Sequence, residues 1–288
     1  MTGAELLASL AAAWIATPLS AETVNNETTI SSSNVNGAVG INVVGPTGTI
    51  TNAAAGKITI DETYTPTDSD NDGDLDGPFA TGTGRYGIRT TSPFTGNITN
   101  KGTITIEGND SFGIGLNAPL TGKLVTDGTI TVTGDRSIGV RTSDVSSSVR
   151  LAGTISAKGK DAMAASIEGN VGGALVVQGA LSATGYRSTT PPSNVSKLDA
   201  DDLLQGGPAL NIAADVAGGV ILAVPPKDTS TSDNDEDHDG IDDSKEGSAA
   251  VVSYGSAAAV QIGSATRSVT LGPVAGTGSG HGLVIDGT

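Results

Sequence analysis

Short runs that alternate an apolar residue with Thr or Gly recur along the chain, as in Ile104-Thr105-Ile106, Ile130-Thr131-Val132 and Ile138-Gly139-Val140. Alternation at every second position is the pattern of a strand with one buried face. Gly and Asn-Gly-like breaks separate the runs, and no segment of the repetitive region shows helical periodicity. The runs belong to two repeating phrases. One reads GKITIDE, GTITIEGND, GTITVTGDR, GTISAKGKD and GALSATGYR; its glycines, Gly56, Gly102, Gly128, Gly153 and Gly179, lie 46, 26, 25 and 26 residues apart. The other reads GAVGINV, GRYGIRT, SFGIGLN, SIGVRTS and AMAASIE; Gly40, Gly87, Gly113, Gly139 and Ala164 mark it at intervals of 47, 26, 26 and 25. Two markers that keep step define a true repeat. PALNIAA (at Leu210), AAVVSYG (at Val252) and HGLVIDG (at Leu283) read as drifted later copies.

A unit of about 25 residues holds three strands of four to six residues with their turns, which is one rung of a parallel β-helix. The expected fold is therefore all-β, a solenoid of eight or so rungs and roughly 40 Å long at ~4.8 Å per rung. An antiparallel β-sandwich needs hairpin signals every 8–12 residues or so and no fixed period, so the constant period favours the solenoid. Three surpluses interrupt the period, and insertions leave a solenoid at its turns. They predict side loops at residues 64–80, 186–207 and 226–247, the second with a helical turn at 199–204.

Composition fits a thin core. The chain has 288 residues, 41 Gly and only 3% aromatics, too few large apolar groups for a wide globular interior. With no Cys, disulfides and thiolate metal sites are excluded. The N-terminus has an apolar stretch from Leu6 to Leu19, broken at Pro18, with Leu19-Ser20-Ala21 as a cleavage site. Residues 1–21 read as a signal peptide, leaving 22–288 as the exported chain; the stretch is short of the ~20 residues that span a bilayer. No Lys or Arg precedes Leu6 and Glu5 is acidic, so the natural start is expected upstream, or export uses another cue.

The formal charge of −16 is mostly local. Asp68 to Asp76 holds five acids and no base, and Asp233 to Glu246 holds eight acids and one Lys. No basic stripe follows, which argues against nucleic-acid binding. Asp235-x-Asp237-x-Asp239-Gly240-Ile241-x-Asp243-x-x-Glu246 matches the spacing of an EF-hand calcium loop, with the Ile241 carbonyl as the backbone ligand. Alternate short acids curl their carboxylates to one side, Gly240 permits the turn, and Glu246 can close the far side. Asp68-x-Asp70-x-Asp72-Gly73-Asp74-x-Asp76 matches less fully. Its twelfth position is Phe79, so a partner oxygen or water has to complete it. Both loops are expected to bind Ca²⁺ as structural clamps, the alternative being a solvated acidic run.

Other motifs are weaker. Gly82-x-Gly84-x-x-Gly87 has the dinucleotide spacing, but no helix is predicted after it. Ser279 near His281 lacks the strand–Ser–helix context of a nucleophile elbow. Arg85, Arg89, Arg136 and Arg141 recur beside the Gly-Ile/Val marker and read either as a ladder on one face or, the preferred reading, as solvated turn residues.

DEDHDGIDDSKE resembles the thrombospondin type 3 repeat, a helix-free calcium module. The rungs, clearest in ITNKGTITIEGNDSFGIGL (98–116), and the stretch LDADDLLQGGPALNIAADVAGGVILAVPP (198–226) resemble the passenger region of bacterial autotransporters. The resemblance implies a right-handed parallel β-helix, export to the cell surface or beyond, and an outer-membrane β-barrel translocator farther along the chain. It implies a structural or adhesin role without catalysis, toward a host, surface or polysaccharide ligand. The alternatives are a carbohydrate-active β-helix enzyme (a polysaccharide lyase or hydrolase), or a calcium-dependent self-association module. An enzyme of that kind should gather carboxylates, a base and aromatic platforms on one wall.

Overall fold

The structure, a computed structural model, describes residues 19–20, 23–69, 75–190, 194–227, 229, 234, 242–275 and 280–286. The alternating runs fold as strands. Lys57–Asp61, Thr103–Glu107, Thr129–Thr133, Thr154–Lys158 and Ala180–Thr184 each bury their second and fourth residues. They stack in parallel, with Ile58, Ile104, Ile130, Ile155 and Leu181 in one column. Thr29–Ser33 and Ala250–Tyr254 extend this sheet at its two ends, and we call it wall 3.

Wall 1 runs through Leu19–Ser20, Val39–Val43, Tyr86–Thr90, Phe112–Leu116, Ile138–Thr142, Met163–Ile167, Leu210–Ile212 and Val260–Ile262. Wall 2 runs through Val24–Asn26, Thr47–Asn52, Phe94–Asn100, Leu124–Thr126, Val149–Leu151, Leu175–Val177, Val220–Leu222 and Leu283–Ile285. The chain visits walls 1, 2 and 3 in turn and pairs each strand with the equivalent strand of the next rung. This is a right-handed parallel β-helix. The eight stacked strands of wall 1 give an axial length of about 34 Å. Leu19–Ser20, at the expected cleavage site, pairs with Ile41 and Asn42.

The register explains the two glycine phrases. A Cβ on Gly40, Gly87, Gly113 or Gly139 would lie 2.4–2.5 Å from the Cγ2 atom of Ile58, Ile104, Ile130 or Ile155. Ala164 occurs where wall 3 carries Leu181, which is unbranched at Cβ and so lacks the Cγ2 methyl of Ile. At the corner between walls 2 and 3, a Cβ on Gly102, Gly128, Gly153 or Gly179 would lie 1.8–2.1 Å from the carbonyl oxygen of the glycine one rung earlier. Only a bare Cα fits beneath that oxygen.

Wall 2 also carries a polar column in its core. Asn26, Asn52 and Asn100 are buried and in register. The Asn26 Nδ2 donates to Asn52 Oδ1 at 2.8 Å, Asn52 Nδ2 to Asn100 Oδ1 at 2.8 Å, and Asn100 Nδ2 to Thr126 Oγ1 at 3.3 Å. Each amide satisfies the next, which removes the penalty of burying it. Asn52→Ala orphans a donor on one side and an acceptor on the other. A loss of about 2 kcal/mol or more is expected in urea unfolding, and an unchanged midpoint would contradict the ladder.

Two sequence expectations need correction. Val252 pairs with Ser182 on wall 3, and Leu283 with Val220 on wall 2, so neither continues the wall 1 phrase. The wall 1 continuation after Leu210 is Val260. The third surplus therefore separates wall 2 from wall 3 within one rung. Where a helical turn is expected at 199–204, the chain makes a turn over residues 200–203, preceded by a 3-10 turn at Val195–Lys197 that Asn194 caps by accepting from the Ser196 amide.

Candidate functional site

The neck of the first insertion is closed by a buried ion pair. Arg85 and Glu62 have side chains 1% and 3% exposed and meet at 3.0 Å. Glu62 also accepts from the amides of Thr81 at 2.5 Å and Gly82 at 2.7 Å, so the residue entering the insertion holds the residues leaving it. Arg85 donates onward to the carbonyls of Val35 and Glu107. Arg85 is thus not a solvated turn residue, because the returning insertion covers it. Gly82 lets the guanidinium pack against the backbone, since a Cβ would lie 2.1 Å from the Arg85 Nη2 and displace it. Burial pushes the Glu62 carboxyl up, but the Thr81 and Gly82 amides and the Arg85 guanidinium outweigh it and hold it below the usual range.

Of the first acidic loop, Asp68 and Asp76 are described; Asp70, Asp72 and Asp74 lie outside the described residues. Thr67 and Asp76 form an antiparallel bridge that pinches the loop. The Asp76 carboxylate accepts from Ser69 Oγ at 2.6 Å. It meets two acids from the second insertion: oxygens of Asp76, Asp199 and Asp201 all lie within 4.8 Å of one another. Asp201 accepts from the Gly77 amide at 3.0 Å and from Arg187 Nη2 at 3.0 Å, and Arg187 donates to the Gly77 carbonyl. Phe79, the non-ligating twelfth position, lies under the Arg187 guanidinium at 4.9 Å and the Lys158 ammonium at 5.6 Å. The two insertions, more than a hundred residues apart in sequence, are thereby clasped together.

The carboxyls of the two aspartates of the second insertion are pushed in opposite directions. For Asp199 the Asp201 amide lowers the carboxyl, but the hydrogen bond with the Asp201 side chain, burial and repulsion outweigh it and raise it. For Asp201 burial raises the carboxyl, but Arg187, Asp199 and the Gly77 amide hold it low. Three carboxylates brought together in this way are a donor set that suits a hard cation such as Ca²⁺. Asp199 and Asp201 were not legible as ligands, since they sit in no calcium spacing.

Of the second acidic loop, Asp235, Asp237, Asp239 and Ile241 lie outside the described residues. Asp243 opens a 3-10 turn, Asp243–Lys245, capped by Asp242. Glu246 turns toward the rod. Its Oε1 accepts from Gln178 Nε2 at 2.7 Å and Arg150 Nη2 at 3.2 Å, with its side chain fully buried.

Wall 1 carries a pair of aromatic side chains on its outer face, and Tyr254 is exposed on wall 3. Tyr86 stacks on Phe112 at 4.9 Å; Arg89 covers Tyr86 at 5.4 Å and Arg141 covers Phe112 at 4.0 Å. Cations and rings cap one another, which leaves no open aromatic platform in this stack. A depression of about 420 Å³ beside it is lined by Asn117, Arg141, Asp144 and Glu168. Asp144 there is a turn residue whose Oδ1 accepts the Asn170 amide at 2.7 Å, one step of a ladder continued by Asn170 and Asp215.

Residues 6–146, just under half of the chain, match the sequence profile of the BigA third pectate lyase-like domain. No curated protein and no solved structure matches the chain. The likeness is to a pectate lyase-like β-helix, the architecture built above from the strand register.

Proposed function

We propose that the chain is part of an exported, surface-exposed or secreted passenger of the autotransporter type, with a structural and adhesive role and calcium-stabilised insertions, and that it is not an enzyme. The observation that carries this reading is an uninterrupted three-walled rod whose side insertions gather the acidic groups. Its partners in this reading are an outer-membrane β-barrel translocator and a host, surface or polysaccharide ligand. Protease added to intact producing cells is expected to remove the chain from their surface or medium. Protection until the cells are lysed would overturn the reading.

Calcium is held, in this proposal, by Asp76, Asp199 and Asp201 where the first two insertions meet, and by the thrombospondin-like spacing of the third. EDTA is then expected to raise protease cleavage within residues 228–247. An identical cleavage map with and without calcium would contradict a calcium-folded third insertion.

The second reading is a carbohydrate-active enzyme, favoured by the likeness to a pectate lyase-like domain and by the wall 1 depression with Arg141, Asp144 and Glu168. Against it, the neighbouring ring faces are covered and Asp144 is engaged in the turn ladder. The expected result is no unsaturated uronate released from polygalacturonate with calcium; release above background would reverse the ranking.

A further inference from the structure

A groove of about 930 Å³ lies along the outer face of wall 2. Val125, Val176 and Ile221 belong to one outward column of that wall and line its floor. Lys101 and Lys123 stand at one end, and the segment Val224-Pro225-Pro226-Lys227 forms a side. The lining runs from Lys101 in the third rung to Asp286 in the eighth, about 24 Å along the axis. The chain carries sixteen net negative charges, yet this groove brings together Lys101, Lys123, Lys227 and Arg150 against Asp127 and Asp286.

Two of its lining residues already bind a carboxylate of the chain's own acidic insertion. Glu246, from the chain's own acidic insertion, is buried at its edge by Arg150 and Gln178, both lining residues. No aromatic side chain is among the residues that line it, so it offers no stacking face for a sugar ring. Wall 2 strands pair on both sides along the groove, so their backbone groups are used and recognition falls to side chains.

We propose that this groove docks an extended acidic segment of a partner protein, roughly seven residues at ~3.3 Å each. Its carboxylates would meet Lys101, Lys123 and Lys227, and its aliphatic side chains the Val125, Val176 and Ile221 column. The proposal gives the adhesive reading a partner chemistry and rests on it, but it does not depend on calcium.

The test is fluorescence anisotropy of the full chain with a labelled peptide of alternating Glu and Val. Saturable binding is expected, weakened roughly tenfold by K101E/K123E and by raising salt from about 50 to about 500 mM, and absent for the Gln-Val peptide. K57E, exposed on wall 3, should bind as the parent does. Failure to bind, equal binding by K101E/K123E, or tighter binding of an oligogalacturonate of equal charge would overturn the proposal. The surface-protease result stands apart from each of these outcomes, so the two readings fail separately.

Discussion

Gly128→Ala is expected to destabilise the rod by about 3 kcal/mol. The new Cβ would sit 2.0 Å from the Gly102 carbonyl oxygen, and its other near atoms are backbone as well, 2.7 Å from the Lys101 carbonyl carbon and 2.8 Å from the Gly102 amide. No side chain can rotate away to make room, so the corner between walls 2 and 3 must open. That corner supplies the Gly128 amide to the Asn100 carbonyl and the Thr129 amide to the Gly102 carbonyl. In a solenoid each rung is held by its neighbours, so a fault in the middle of the stack weakens both sides of it. Thr129→Ala, at an exposed position next door, should stay within about 0.5 kcal/mol. Equal midpoints for the two variants in urea would contradict the register.

Arg85→Ala is expected to cost about 3–5 kcal/mol, because it leaves the Glu62 carboxylate buried without its cation. The loss should appear first as cleavage in residues 64–80, whose two ends Glu62 holds together. The same carboxyl sets a pH dependence. Its folded pKa lies below the ordinary 4.5, so its contribution is fully present above that value. It is lost as pH falls through the lowered folded pKa. Arg85→Ala should therefore remove part of the acid sensitivity of the parent along with the stability. A variant whose stability declines with acid as steeply as the parent's would contradict the clamp.

Much of the rod was legible because its signals are local. Ile104-Thr105-Ile106 shows its buried face by alternation alone, and the interval from Gly102 to Gly128 gives the length of a rung. What was not legible depends on which residues the stacking brings together. Asn52 and Asn100 look like turn residues in sequence, and become a ladder only once Ile50 and Ile98 are seen to be in register. Arg85 looks like any charged residue beside a glycine until the chain returning from 64–80 buries it. Asp76 carries half a calcium spacing, and the acids that join it, Asp199 and Asp201, come from an insertion four rungs farther along. Glu246 fits the twelfth position of a calcium loop by spacing, yet the rod supplies Arg150 and Gln178 as partners that no local pattern announces.

Calcium is proposed to bind at the insertions, and amide hydrogen exchange tests that proposal most directly. Adding calcium to the metal-free chain is predicted to slow exchange in residues 64–80 and 186–207 together, while the core strands Thr103–Glu107 and Thr129–Thr133 exchange as before. Exchange in both insertions that is the same with and without calcium, or protection of one insertion alone, would contradict the clasp of Asp76, Asp199 and Asp201.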